Sequence, residues 1–147
     1  MEITKELLKE KFEEYNKLYF DNKLEMCTFN YSYFRMFGRY TQVTTAKGKV
    51  VGKIWVSKSV DWTEDMLKQI IVHEMIHHYV NTIDKVKLDG LFQHGKHFVR
   101  QIKRIKKKFG YEVLICYPNW KFRNGDDNNS RVTLKVLNVL RNKMHLF

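Results

Sequence analysis

The sequence contains few cysteines and no long apolar run. Its two cysteines, Cys27 and Cys116, are far apart, which favours reduced thiols in a cytoplasmic protein over a disulfide framework. No stretch approaches the roughly 18 apolar residues that a membrane span needs. The charged beginning, MEITKELLKEKFEEY, lacks the apolar core of a signal peptide. We therefore expect a cytoplasmic protein without a membrane partner.

Proline and glycine are also scarce, with one and seven residues respectively, and there is no linker-like or repetitive segment. The chain is 44% hydrophobic and 14% aromatic, which excludes a disordered protein. A length of 147 residues suits one hydrophobic core. We therefore expect residues 1–147 to form a single domain.

Acidic residues are rare in one part of the chain. Residues 1–90 contain 14 Lys/Arg and 13 Asp/Glu, whereas residues 91–147 contain 13 and 3. Ten of the eleven net positive charges therefore belong to residues 91–147. This asymmetry favours a polyanionic partner, and the alternative is a composition bias that serves solubility.

The first half of the chain changes from a helical to a strand pattern. Apolar residues at helical spacing predict a helix over Leu7–Tyr19, with Thr4 as its N-cap. The segment AKGK predicts a hairpin turn. β-branched and aromatic residues predict strands near Cys27–Arg35, Arg39–Thr45 and Val50–Ser57.

The second half is predicted to be mainly helical. Asp61 and Glu64 resemble a capping box, which would begin a buried helix that ends near Asp84. A second long helix is predicted from about Gly95 to Phe109, and the letters YEVLICY after Gly110 predict a strand. NGDDNNS is typical of a loop, and the tail RVTLKVLNVLRNKMHLF favours a helix over a strand.

The segment IIVHEMIHHYV places protonatable groups inside the predicted buried helix. His73, Glu74 and His77 form the pattern H-E-x-x-H. Residues four apart lie one helical turn from each other, so the two histidines can direct nitrogens at one Zn²⁺ ion. Glu74 then lies where it can take a proton from a metal-bound water. Structural histidines bonded to backbone carbonyls are the alternative, and the apolar position in mid-helix favours the metal.

A catalytic zinc ion needs a third protein ligand. The extended pattern H-E-x-x-H-x-x-G-x-x-H fails, because Val80 and Ile83 occupy the positions of its Gly and last His. At about 100° per residue, His94 projects onto the apolar face of the second long helix, whereas His97 falls on its flank. We therefore favour His94, and expect His97 and His78 to lie at the surface or to support the ligands. This choice is made among four possible third ligands within reach, which are Asp84, Asp89, His94 and His97.

These motifs resemble those of the SprT-like and Spartan zinc metalloproteases. HEMIHH and HGKHF are similar to the family's H-E-M-x-H and H-G-x-x-F elements, and NKLYFDNKL is similar to its N-x-x-Y-F-x-x-x-L segment. GRYT and KIWVS resemble its strands. The resemblance covers roughly Leu7 to Phe109 and implies a zincin-like α+β fold with peptidase activity. It also implies His73, His77 and His94 as zinc ligands and Glu74 as catalytic base.

Two features of the family are not identified in this sequence. Many SprT-like proteins carry a C-terminal zinc ribbon with C-x-x-C pairs, whereas Cys116 stands alone in LICYPNW. We therefore expect no such ribbon within this chain, which puts its contribution to DNA binding in doubt. The group that stabilises the transition state is also open, with Tyr79, Tyr111 and Tyr117 as candidates.

A stripe of cationic side chains runs along one face of the second long helix. Its members, Lys96, Arg100, Lys103 and Lys107, fall within about 60° of one another and opposite an apolar face formed by Phe98, Ile102, Ile105 and Phe109. An ordinary solvated helix face has the same pattern, but the scarcity of acids favours sequence-independent, salt-sensitive phosphate binding. The resemblance points the same way, because Spartan-like proteases act on proteins joined to DNA.

The sequence thus predicts a zinc metallopeptidase that acts on a protein or peptide, with DNA-associated proteins as one substrate class. Zinc-bound water would attack the peptide carbonyl with Glu74 as base. Two alternatives stay open: a nucleic-acid-binding module whose metal site is structural or degenerate, and a metal hydrolase that acts on other bonds. The presence of Glu74 favours an enzyme, because a structural metal site has no need of a base.

Overall fold

The structure is a computed structural model that describes residues 1–123. These residues form an α+β fold, as predicted, with a 3-10 turn at Leu91–Gln93. Within them, no helix combines the length and the hydrophobicity of a membrane span. The loop predicted at 124–130 and the tail at 131–147 lie outside the described residues. The elements are α1 (Lys5–Phe20), β1 (Thr28–Ser32), β2 (Gly38–Thr44), β3 (Val50–Ser57), α2 (Glu64–Thr82) and α3 (Lys96–Phe109).

Most element boundaries agree with the predicted ones to within a few residues. Thr4 caps α1 as expected, since its hydroxyl accepts a hydrogen bond from the first turn at 3.0 Å. The N-cap predicted for α2 is wrong. Thr63 caps this helix by accepting the backbone N–H of Met66 at 3.2 Å. Asp61 instead forms an exposed ion pair with Arg123 at 2.9 Å.

The strand predicted at YEVLICY is also wrong. The described residues 111–117 contain no strand, and the segment is instead held by a side chain of α2. Gln69 donates to the carbonyl of Glu112 at 2.8 Å and accepts the N–H of Leu114 at 2.9 Å. The apolar character of the segment reflects burial of Val113 in the core. An amide side chain here satisfies the backbone groups that a neighbouring strand would otherwise satisfy.

The sheet has the strand order β1-β3-β2. β1 runs parallel to β3, whereas β2 runs antiparallel to it, with Gly38 opposite Val56 and Thr44 opposite Val50. The hairpin between β2 and β3 turns at Gly48, whose φ of 77° explains the glycine. β2 is therefore an edge strand of the described sheet.

α2 is the central element and is buried on most of its circumference. The side chains of Ile71, Met75 and Ile76 are fully buried in a core shared with α1, the sheet and α3. A Cβ added at Gly38 would lie 2.5 Å from Cγ1 of Ile70, so only glycine allows β2 to begin this close to α2. This close approach brings the free edge of β2 beside Glu74, the second residue of the H-E-x-x-H pattern.

Candidate metal centre and active site

Three histidine side chains converge at one point between α2 and α3. His73 and His77 come from α2, and His94 comes from the loop before α3. One ring nitrogen from each lies within 4.8 Å of the others, and the Nε2 atoms of His73 and His94 are 3.0 Å apart. The structure thus brings together the three residues that the sequence analysis selected as metal ligands.

Phe98 forms the apolar floor of this histidine cluster. Its ring is fully buried, and its centroid lies 4.8 Å from that of His73, 4.6 Å from that of His77 and 4.7 Å from that of His94. Three imidazoles packed on one phenyl ring have little freedom to turn. Phe98 therefore fixes the arrangement of the cluster without contributing a ligand atom.

The orientation of His73 is set by a backbone carbonyl. Its Nδ1 lies 2.8 Å from the carbonyl oxygen of Leu114. A carbonyl oxygen only accepts hydrogen bonds, so Nδ1 carries the proton and Nε2 presents its lone pair to the cluster. Hydrogen bonds of this kind orient histidines that bind metal ions.

His94 is positioned by a loop and not by α3 itself. The helix is capped by Gly95, and the carboxylate of Asp89 accepts the backbone N–H groups of His97 at 3.2 Å and Phe98 at 2.8 Å. The helical projection thus placed His94 on the correct side although this residue lies before the helix. Asp89, a candidate ligand in the sequence analysis, is used to cap α3.

Burial keeps the clustered histidines neutral. Desolvation lowers the pKa of His94 to about 4. Desolvation, with a further contribution from His94, lowers the pKa of His73 to about 3. Burial and the two neighbouring imidazoles hold the pKa of His77 well below its usual value. Neutral imidazole is the form that binds metal ions, so the cluster is in its ligand form at neutral pH.

The donor set fits a metal ion that takes three protein ligands. The three histidines could hold such an ion, and Nδ1 of His94 is buried without a hydrogen-bond partner in the described structure. Three imidazole nitrogens beside an open cleft match catalytic zinc sites, and imidazole also suits copper, iron and nickel ions. The geometry therefore supports a metal centre and leaves the identity of the metal open.

Glu74 lies beside the cluster in a nearly dry environment. The residue is 4% exposed, and burial raises the pKa of its carboxyl to about 8. A Cβ added at Gly38 would lie 3.3 Å from Oε1 of Glu74, so the carboxyl faces the start of β2. A carboxyl with a pKa near neutrality suits a group that both accepts and donates protons.

Glu74 and the three histidines line a cleft of about 680 Å³. One wall is the β2 strand with the residues that precede it, and the lining also includes Phe92 and the segment from Ile115 to Tyr117. Phe92 is 59% exposed at this rim. The cleft is thus open and largely apolar.

The free edge of β2 offers backbone hydrogen-bonding groups to this cleft. Ser57 donates to the carbonyl of Phe37, and Thr45 donates to that of Lys49, so odd-numbered residues around β2 face the partner strand. Antiparallel neighbours alternate in this respect. Tyr40 and Gln42 therefore direct their backbone N–H and C=O groups away from the sheet, and both residues line the cleft.

The structure separates the three candidate tyrosines. Tyr117 lines the cleft, and its ring lies 5.6 Å from that of His73. Its hydroxyl is buried and has no hydrogen-bond partner among residues 1–123. Burial, together with the charge of Glu74, holds its pKa well above the usual value. By contrast, Tyr79 packs against Phe20 and Tyr111 stacks on Tyr19, both outside the cleft.

His78 and His97 were expected to lie at the surface or to support the ligands, and the structure places neither side chain fully in solvent. His78 is buried, with Nδ1 2.7 Å from the Tyr40 hydroxyl and Nε2 2.9 Å from the carbonyl of Glu25. His97 is partly buried, with Nδ1 3.7 Å from a carboxylate oxygen of Asp84, which makes Asp84 a neighbour of His97 and not a member of the histidine cluster. The position of His78 is explained by its helical phase, about 140° away from His73.

The cationic stripe of α3 lies on its solvent face. All four members, Lys96, Arg100, Lys103 and Lys107, are exposed. On the opposite face, Phe98, Ile102 and Ile105 are buried. Phe109, predicted on the buried face, is 36% exposed and contacts Tyr19 edge-on at the helix end. The amphipathic division of α3 is therefore as predicted except at its last residue.

A comparison with protein families agrees with this geometry. Residues 8–117 match the SprT-like family, and this range includes the histidine cluster, Glu74 and all of the described cleft lining except Phe122. None of the curated proteins gave a match. The matched range is most of the chain, so this protein is a member of the SprT-like family.

Proposed function

We propose that this protein is a zinc-dependent metallopeptidase. The observation that carries the proposal is the convergence of three neutral histidines beside Glu74 in an open cleft. A site that only stabilised the fold would have no need of a buried carboxyl or an open wall. Membership of the SprT-like family supports the same function.

When bound, zinc lowers the pKa of a water ligand to about 7 and polarises the substrate carbonyl. Glu74 accepts the proton of the attacking water and delivers it to the leaving amine. The positive charge of the ion favours the ionised carboxylate, which offsets the effect of burial on its pKa. The hydroxyl of Tyr117, which has no hydrogen-bond partner among residues 1–123, donates a hydrogen bond to the oxygen on which negative charge develops.

The substrate is an extended segment of a protein or peptide. It aligns with the free edge of β2, where the backbone groups of Tyr40 and Gln42 supply hydrogen bonds, as in other cases of strand addition. Apolar side chains such as Phe37 and Ile115 line the cleft and contact the substrate side chains. An edge strand selects for backbone conformation, so unstructured segments are better substrates than folded ones.

The test is hydrolysis of an unstructured protein such as casein by the purified chain. We expect one zinc per chain, loss of cleavage with a chelator and recovery on addition of zinc. Glu74→Gln is the matched control, because the amide has nearly the same shape but cannot accept the proton. Its rate should fall by about 10²–10⁴-fold with the zinc content unchanged. Cleavage that survives this substitution would remove Glu74 as the base.

The exposed stripe on α3 favours DNA as a second partner. α3 contains no acidic residue, and cations aligned on one helix face neutralise phosphates without reading sequence. Proteins bound to DNA would then be brought to the cleft, because Lys96 follows His94 by two residues. A protein that binds zinc and DNA but cleaves no substrate would instead be a binding module.

A further inference from the structure

We propose that Gln69 is a positioning residue for the metal site and acts through the backbone of Leu114. The inference rests on the proposed metal site, although Gln69 itself lies outside the histidine cluster. Gln69 precedes His73 by one helical turn on α2, so both side chains leave the helix on the same side. The hydrogen bonds of Gln69 go to the chain segment that passes alongside.

Both halves of the Gln69 amide are used, in what we call the amide clamp. Nε2 donates to the carbonyl of Glu112 at 2.8 Å. Oε1 accepts the N–H of Leu114 at 2.9 Å. Because these two backbone groups flank residue 113, the clamp restricts rotation of the chain at this point. It does for the segment what pairing with a second strand would otherwise do.

The clamped backbone in turn holds a proposed ligand. The carbonyl of Leu114 accepts the Nδ1–H of His73 at 2.8 Å, while the N–H of the same residue is held by Gln69. This arrangement fixes the tautomer of His73 and directs its Nε2 towards His94, 3.0 Å away. Loss of such outer support typically costs about 10–100-fold in metal affinity.

Apart from the clamp, the segment is anchored by the buried side chain of Val113, which leaves the backbone N–H of Leu114 to Gln69. Leu114 is 37% exposed, and the ion pair between Glu112 and Lys106 spans 3.7 Å with both side chains exposed, so it contributes little. Residues 115–117 follow directly and form one wall of the cleft. Gln69 therefore holds both the backbone that orients His73 and the start of the segment that forms the cleft wall.

The test uses Gln69→Leu, which removes both hydrogen bonds at nearly constant volume. We expect zinc affinity, measured by competition with a chromophoric chelator, to fall about 10–100-fold. In ¹⁵N-resolved imidazole spectra, the Nδ1 proton of His73 should exchange faster with solvent. The matched control is Lys68→Met, because the Lys68 ammonium lies 4.2 Å from the centre of the Tyr111 ring at the start of the same segment. This variant should keep both wild-type values.

Wild-type zinc affinity together with a protected Nδ1 proton in Gln69→Leu would overturn the inference. An equal loss of affinity in Lys68→Met would also overturn it, since the effect would then be a general loosening of the segment. The proton exchange is measured in the metal-free protein as well. A wild-type chain that bound no zinc would therefore refute the proposed function, while the exchange rates would still decide the role of Gln69.

Discussion

His77 and His78 are adjacent in the sequence but occupy opposite environments. His78 faces the core, where both ring nitrogens have partners, the Tyr40 hydroxyl at 2.7 Å and the Glu25 carbonyl at 2.9 Å. His77 faces the cleft, and no hydrogen bond from the described residues reaches its ring. Its nitrogen instead points at those of His73 and His94.

This difference distinguishes a structural histidine from a candidate metal ligand. Burial lowers the pKa of both side chains, so desolvation alone does not separate them. What separates them is the surroundings of their ring nitrogens. Both nitrogens of His78 have hydrogen-bond partners, whereas one nitrogen of His77 converges with those of His73 and His94, and these three could hold a metal ion. The two histidines are also connected, because the Tyr40 ring held by His78 stacks near that of His77, with centroids 6.5 Å apart.

The largest expected effect comes from replacing each of the two histidines with alanine. His77→Ala should reduce zinc affinity by more than the roughly 10–100-fold attributed to outer support. His78→Ala should reduce zinc affinity by no more than this roughly 10–100-fold range. It should lower the free energy of unfolding by about 2–4 kcal/mol, because two hydrogen bonds are lost and a cavity is created. Chelator competition and urea unfolding of the metal-free proteins measure the two effects. Equal losses of zinc in both variants would break the comparison.

A second large effect is expected at the unpartnered hydroxyl of Tyr117. Tyr117→Phe should lower kcat by about 10²–10³-fold, the usual cost of removing a donor to a developing oxyanion. The free energy of unfolding should not fall, because the hydroxyl loses no hydrogen bond with a described residue. The matched control is Tyr111→Phe, which also removes a buried hydroxyl without a partner among residues 1–123 but lies outside the cleft. A similar fall in kcat for both would exclude a specific role for Tyr117.

A smaller effect concerns the stability of the metal-free protein. Burial raises the pKa of Glu74 from 4.5 to about 8, so the folded state holds its proton more tightly than the unfolded state. Glu74 therefore favours folding most below pH 4.5, and this contribution is lost as pH rises to about 8. His73 and His94, whose pKa values are lowered to about 3 and 4, act in the opposite direction and only below about pH 6.5.

Between pH 6.5 and 8, Glu74 thus dominates among these groups. We expect the free energy of unfolding of the metal-free protein to fall by up to about 1.4 kcal/mol per pH unit in this window. Glu74→Gln should remove the slope, as urea titrations at pH 6.5 and 8 would reveal. A slope that persists in the variant would mean that another group titrates there.

The sequence allowed the inner part of the site to be predicted because its rules are local. Helical phase brings His73 and His77 together and separates His78 from both. The same reasoning selected His94 only by extrapolating α3 beyond its N-cap. Its real support is the loop closed by Asp89, which no periodic pattern reports.

The outer part of the site could not be predicted, because it depends on long-range hydrogen bonds. In the sequence, Gln69 looks like an ordinary polar residue of a helix, and its partners Glu112 and Leu114 are more than forty positions away. The prediction of a strand at YEVLICY was wrong for the same reason. Apolar residues with β propensity indicate burial in an extended form, but they do not indicate whether a strand or a side chain satisfies the backbone.

The two faces of α3 also differ, as the two faces of α2 do at His77 and His78. The test of this difference has the smallest expected effect. Phe98 supports the histidine cluster from the buried face, whereas the cationic stripe lies in solvent. If the faces act independently, Arg100→Glu with Lys107→Glu should weaken DNA binding and leave zinc affinity unchanged. The control is Lys5→Glu with Lys9→Glu on α1, which changes the net charge equally at exposed positions elsewhere.

The salt dependence of DNA affinity distinguishes direct contacts with phosphates from a general attraction by net charge. Each phosphate contact contributes about −0.9 to the slope of log affinity against log salt on double-stranded DNA, and about −0.7 on single strands. The stripe variant should therefore lose about two such contributions in fluorescence-anisotropy titrations, while the α1 control should keep the wild-type slope. Equal changes in both variants would mean that net charge alone attracts DNA. The stripe would then be a solvated helix face, and the metal site would stand without a nucleic-acid partner.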